Sequence, residues 1–189
     1  QHIILSPIST RRKIYKLIDN EIKNAKEGKK AWMIIKVNNL VDKEVINKLY
    51  NASREGVKIR LIVRGICSLI PGVPGLSENI EAISIIDRYL EHSRIFIFCN
   101  NDNNLFYISS ADWMTRNLDR RIEVTCPIYD INIQKEIMDI IKYQLNDNVK
   151  ARIINTFQDN QYSSINKNNN LYLRSQEKIY EYYKKRINL

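Results

Sequence analysis

The chain has 189 residues, a formal net charge of +9, and 44% hydrophobic with 9% aromatic content, enough to bury a sizeable core and to suggest one domain with at most an appendage. No apolar run approaches the roughly 18 residues that span a bilayer, and "QHIILSPIST" lacks the basic flank and long apolar core of a signal peptide. Cys67, Cys99 and Cys126 are odd in number and far apart. They indicate neither a disulfide framework nor a metal site, but buried free thiols in a reducing compartment. The positive charge draws polyanions without saying which: nucleic acid, acidic lipid and polyphosphate would all respond to the same field.

In chain order, "HIILS" predicts a short strand. Ser6 as N-cap and Pro7 as first helical residue then open a helix that carries Ile8, Tyr15, Ile18, Ile22 and Ala25 to Gly28. "WMIIKV" predicts a second strand. Asp42 caps a helix with Val45, Ile46, Leu49 and Ala52 on its apolar face, Gly56 ends it, and "VKIRLIV" predicts a third strand. This alternation argues for a mixed, mainly parallel sheet with helices on both faces and binding loops at the carboxyl ends of the strands. The long loop "RGICSLIPGVPGLSENI" follows, of a length uncommon in a compact domain unless it has a function. "IEAISII", "RIFIF" and "LFYISS" predict three further strands, the last two joined by the polar hairpin "NNDNN". "RIEVTCPI" adds another, and Asp130 opens a helix through about Leu145. The domain is expected to span residues 1–157, followed by a polar mobile linker at 158–170 and a basic, tyrosine-rich helix within 171–189.

Three places carry possible chemistry. Arg64 directly follows an apolar strand, where its guanidinium fork could take phosphate or carboxylate, or pair with a neighbouring carboxylate to anchor the loop. His92, in "YLEHSRIFIF", could be a hydrogen-bonded structural residue. Arg94, at the next position on the same strand face, sets a cation beside the imidazole, which suits an anionic ligand. "SSADWMTRNLDRR" gathers Ser109, Ser110, Asp112, Arg116, Arg120 and Arg121. Hydroxyls there could donate to phosphoryl oxygens while the acid orients a histidine and arginines neutralise charge; a capped turn with a solvated basic face is the alternative.

His92, a basic residue two positions on, a hairpin, then a Ser-Ser-x-Asp turn resembles the half-site of the phospholipase D superfamily. Arg94 stands where that pattern has lysine, Cys99 where it has aspartate and Asp112 where it has asparagine. With these departures the chain resembles instead the carboxyl-terminal part of the polyphosphate kinases, on the same fold. "NNLVDKEVINKLYNASREGVKIRLIVRGICSLIPGVPGLSENI", "DRYLEHSRIFIF", "SSADWMTRNLDRRIEV" and "DNVKAR" follow the family's order. The resemblance implies an α/β phospholipase D-like domain, the second of two facing each other in a longer enzyme. That enzyme would transfer the terminal phosphate of ATP reversibly to polyphosphate through a phosphohistidine in the upstream part. His92 would assist at the phosphoryl groups, and Arg64 and Arg121 would bind phosphate, with Arg94, Ser109, Ser110, Asp112 and Arg116 in support.

It implies further that Mg2+ acts in the complete enzyme through ligands outside this chain, and that ATP or ADP, polyphosphate and the rest of its own polypeptide are its partners. The complete enzyme would form a homo-oligomer, cytoplasmic and at most peripheral to the inner face of the membrane, and the chain alone would be inactive. His2 matches no family motif. Read from the residues alone, a non-catalytic polyanion-binding module and a phosphodiesterase completed by a second half-site stay open beside the kinase.

Overall fold

The computed structural model describes residues 3–163 and 172–187. Eight strands form one sheet: β1 (Ile4–Ser6), β2 (Trp32–Val37), β3 (Lys58–Val63), β4 (Ile80–Ile85), β5 (Arg94–Phe98), β6 (Leu105–Ser109), β7 (Glu123–Ile128) and β8 (Ala151–Ile154). Five helices accompany them: α1 (Thr10–Lys26), α2 (Lys43–Arg54), α3 (Thr115–Asp119), α4 (Ile131–Leu145) and α5 (Ser175–Ile187). The spatial order is β1-β7-β6-β5-β2-β3-β4-β8.

The mainly parallel sheet expected from the sequence is not what forms. Only β2 with β3 and β3 with β4 run parallel. The pairs β1–β7, β2–β5, β4–β8, β5–β6 and β6–β7 are antiparallel. The reason lies in the connections. Of the neighbouring parallel pairs, β2 and β3 are joined through α2 and β3 and β4 through the loop 64–79, whereas β5 and β6 are joined by the tight turn at 99–104, in which Asn100, Asn101 and Asp102 have positive φ. A hairpin leaves no choice but antiparallel pairing.

Helices do cover both faces. Met33, Ile35 and Val37 of β2 pack with Ile14, Leu17 and Ile18 of α1 and Val45 and Leu49 of α2. Ile34, Ile62, Ile83 and Ile97 pack with Ile137 and Ile141 of α4 on the opposite face. Burial on both faces explains why "WMIIKV" reads as almost continuously apolar rather than alternating. Lys36 is its one charged residue, on the α4 face at the carboxyl end of β2.

Helix α1 starts later than expected, because Ser6 stays in β1, paired with Glu123. Residues 7–9 form a turn after the cis Ser6–Pro7 bond, and Ser9 takes the N-cap position. Its hydroxyl bonds back to Leu5, not to the helix amides. Asp42 caps α2 as expected, accepting from the Val45 amide at 3.0 Å, and Gly56, at φ +87°, turns the chain out of it. Arg11 of α1 ties this cap to α3: its guanidinium reaches Asp42 at 2.7 Å and Asp119 at 2.6 Å.

Strand β8 and helix α3 have no counterpart in the sequence expectations, each being five residues or fewer. Residues 161–163 return alongside β8, where Tyr162 bridges Arg152 and the Ser163 amide donates to the Ala151 carbonyl at 2.8 Å. The remainder of the expected linker, from residue 164 to 170, lies outside the described residues, as does His2. No disulfide joins the cysteines, and only Cys99 is fully buried; Cys67 and Cys126 are half-buried. Among the described residues no helix is long and apolar enough to cross a membrane.

Candidate functional site

The sheet topology brings the sequence candidates to one edge. Strands β2, β3 and β6 end there and, because β5 and β7 run the other way, those two begin there. Asn38 and Asn39, Arg64 and Ser110 therefore follow strand ends, and Ser109 closes β6, at the same edge where His92 precedes and Arg94 opens β5.

The centre of this edge is Asp112. Its carboxylate accepts from the Asn38 amide at 2.8 Å, Asn39 Nδ2 at 3.0 Å, Arg94 Nε at 3.1 Å and Arg94 Nη2 at 3.4 Å. Burial by itself would raise this carboxyl. The hydrogen bonds from Arg94, Asn39 and the Asn38 amide outweigh that cost and hold it below the usual carboxylate range. Arg94 in turn meets His92 twice, donating from Nη1 to its carbonyl at 3.1 Å and lying 3.3 Å from ring Nδ1. The expected pairing of cation and imidazole is therefore present, and Asp112 meets the histidine through Arg94 rather than directly. His92 itself is exposed.

Arg64 joins the same cluster from the other side, donating from Nε to Asn38 Oδ1 at 2.8 Å. Asn38 Nδ2 is buried and has no partner among the described residues. Neither asparagine was singled out from the sequence, although two adjacent carboxamides directly after a buried strand were the available signal. They organise three loops at once. The Gly65 amide donates to the Asn38 carbonyl at 2.7 Å, the Ile66 amide to Asn39 Oδ1 at 3.0 Å and the Trp113 amide to the Asn39 carbonyl at 3.1 Å. Gly65 is required by this crowding, since a Cβ there would lie 2.8 Å from Asn39 Oδ1 and 3.0 Å from the Asn38 carbonyl.

The two serines face the β6–β7 corner. Ser109 Oγ lies 2.6 Å from Thr125 Oγ1 and accepts from the Ala111 amide, while Ser110 Oγ donates to Glu123. Glu123 also accepts from Asn117 Nδ2 at 2.7 Å and pairs with Arg121 Nε at 3.4 Å. Arg121 is thus attached to the corner by one weak contact and leaves its guanidinium exposed, and Arg116 and Arg120 are exposed as well. The arrangement presents one imidazole backed by an ion pair, one anchored arginine and a nearby group of arginines open to solvent, which suits a ligand with several negative charges.

One residue outside these candidates joins the edge from below. Lys36 is 3% exposed and pairs with Glu91, the neighbour of His92, at 2.7 Å. Burial pulls its ammonium below the ordinary lysine value, with Glu91 opposing that shift. Among the described residues no group of three or more His, Cys, Asp and Glu side chains is placed to hold a metal ion.

Comparison with known proteins gives this edge a context. Residues 3–176 match the family described as polyphosphate kinase C-terminal domain 2. A polyphosphate kinase of Vibrio cholerae is 56% identical over 183 residues, covering 97% of this chain and 26% of the relative. That of Escherichia coli K12 is 47% identical over the same length and coverage. The crystal structure of the Porphyromonas gingivalis polyphosphate kinase superposes with a TM-score of 0.93 at 44% identity, over 98% of this chain and 28% of that one. A phospholipase D family member, Nuc, from Salmonella typhimurium superposes at a TM-score of 0.60 and 13% identity, over 82% of this chain and 97% of its own; that likeness speaks for the fold alone. The chain spans about a quarter of the length of the curated relatives it matches. It belongs to the polyphosphate kinase C-terminal domain 2 family, built on the phospholipase D-like fold.

Proposed function

We propose that this chain is the carboxyl-terminal catalytic domain of a polyphosphate kinase that transfers the terminal phosphoryl group of ATP reversibly to polyphosphate. The observation that carries the reading is the cluster His92–Arg94–Asp112–Asn38–Arg64, gathered at one sheet edge within a chain that matches the family nearly end to end.

Phosphoryl transfer asks for positioning and charge neutralisation more than for bonds to the protein. Arg64, oriented by Asn38, points a guanidinium fork at the edge. His92 stands exposed beside Arg94. In this role its ring donates a proton to the oxygen that leaves, or a hydrogen bond to the phosphoryl group in flight. Arg121, with Arg116 and Arg120, accommodates the length of a polyanion beyond the reacting unit. In this reading the nucleophilic histidine and the protein ligands of nucleotide-bound magnesium belong to the upstream part of the enzyme. The complete enzyme is a homo-oligomer in this reading.

The test is transfer of label from the γ-phosphate of ATP by the purified full-length protein. Appearance of label in acid-insoluble polyphosphate, and its return to ADP, is expected. Release of inorganic phosphate alone would refute the kinase assignment. The exposed arginines also fit a binding platform without catalysis, and polyphosphate binding with no transfer in the same assay would favour it.

A further inference from the structure

His92 lies on the segment 86–93 that joins β4 to β5 and contains neither helix nor strand. In the order β5-β2-β3-β4 this segment crosses the ends of β3 and β2, so it runs over the edge that holds Arg64 and Asn38. Three strand spacings amount to about 14 Å, whereas eight extended residues reach about 27 Å. The segment has slack. Hydrophobic packing does not take it up, because Ile86, Tyr89 and Leu90 are each at least 65% exposed.

What takes it up is polar and comes largely from the far end of the chain. Arg174 grips Asp87 through Nε at 2.8 Å and Nη2 at 2.5 Å. Gln176, at the start of α5, clamps the backbone of Tyr89 from both sides: Oε1 accepts from its amide at 2.9 Å and Nε2 donates to its carbonyl at 2.8 Å. The same Nε2 donates to Glu91 Oε1 at 2.9 Å. Glu91 Oε2 is held by Lys36 of β2 and Gln144 of α4, each at 2.7 Å. The start of α5 is itself fixed by Asp147, which accepts from the Ser175 amide and hydroxyl at 2.7 and 2.6 Å.

We infer that Gln176, acting through Tyr89 and Glu91, is a positioning residue for His92, and that the first turn of α5 is therefore part of the transfer site rather than an appendage to it. The inference rests on the reading of His92 as a phosphate-facing group. Without Gln176 the segment keeps Asp87 on Arg174 and Glu91 on Lys36 and Gln144 but loses the hold on the Tyr89 backbone between them, which frees it where the imidazole must meet a phosphoryl oxygen.

The experiment is a double-mutant cycle in the full-length enzyme with Gln176→Met, which fills the same space without the hydrogen bonds, and His92→Gln. Gln176→Met alone should lower kcat about tenfold or more, since a displacement near 1 Å can cost about a hundredfold. In the His92→Gln background the same change should lower it less than about twofold, because the two residues act as a unit. Hydrogen exchange provides a readout independent of activity: the Tyr89 amide, whose acceptor is Gln176, should exchange faster in Gln176→Met while those of β5 do not. An equal fold-loss in both backgrounds, wild-type turnover per folded molecule in Gln176→Met, or unchanged exchange at the Tyr89 amide overturns the inference alone. Wild-type turnover in His92→Gln by itself overturns the site reading and takes the inference with it.

Discussion

Replacing Asp112 by asparagine is the sharpest test of how the site is held together. The substitution keeps shape and volume but removes the charge and turns one acceptor into a donor. Of the four hydrogen bonds to the carboxylate, the remaining carbonyl can keep those from the Asn38 amide and Arg94 Nε. The new amide would confront Asn39 Nδ2 and Arg94 Nη2, donor against donor. The Arg94 and Asp112 side chains are only 14% and 6% exposed, so water cannot fully replace what is lost. Breaking one partner out of a buried ion pair costs roughly 3–5 kcal/mol, and Arg94 retains the His92 carbonyl as an acceptor, which places the expectation at about 3 kcal/mol, the lower end of that range. For a chain of this size that corresponds to a fall in Tm of about 6–12 °C. The assay is urea and thermal unfolding of the 189-residue chain by circular dichroism.

The pH dependence follows from the depressed carboxyl. A group whose pKa is lower folded than unfolded contributes fully above its unfolded value, near 4, and loses the contribution as pH falls through its folded value. The advantage of wild type over Asp112→Asn should therefore be constant from neutral pH down to about 5 and shrink below about 4. A destabilisation under about 1 kcal/mol, the scale of an exposed ion pair, or an advantage that grows on acidification, would refute the view that Asp112 is a charged, buried anchor for Arg94.

His92→Gln in the complete enzyme should reduce turnover about a hundredfold or more, the usual scale of general acid assistance, while shifting stability by no more than about 0.5 kcal/mol, because the ring is exposed; turnover and Tm measured on one preparation decide it. Arg64→Lys keeps the charge but loses the fork that both meets Asn38 and faces the edge, so KM for ATP should rise with Tm nearly unchanged. Gly65→Ala should lower stability and nucleotide affinity together, since the added Cβ displaces Asn39 and with it the loop that carries Arg64; an unperturbed Ala variant would show that the loop is not constrained there. Binding of polyphosphate to the exposed arginines should weaken steeply with added salt, by analogy with counterion release from nucleic acids, and a salt-independent affinity measured by titration would contradict that role.

The sequence by itself determined the elements and much of the edge. Seven of the eight strands follow from local signals, because a strand buried on both faces writes its apolar run directly into the chain, and caps such as Asp42 and Asp130 are read within three residues of what they bind. The short spacing from His92 to Arg94 likewise kept imidazole and guanidinium together, although His92 stands just before β5 rather than on a face of it. What only the tertiary structure decided are the partnerships between distant residues. The sheet is mostly antiparallel because connections and strand order, not strand sequences, set direction. Lys36 inside "WMIIKV" gave no hint that its partner stands 55 positions on, or that Gln176, 85 positions from Glu91, would hold the same carboxylate. A buried charge is tolerated only where the fold delivers its counter-charge, and that delivery is a property of the folded chain rather than of any window along it.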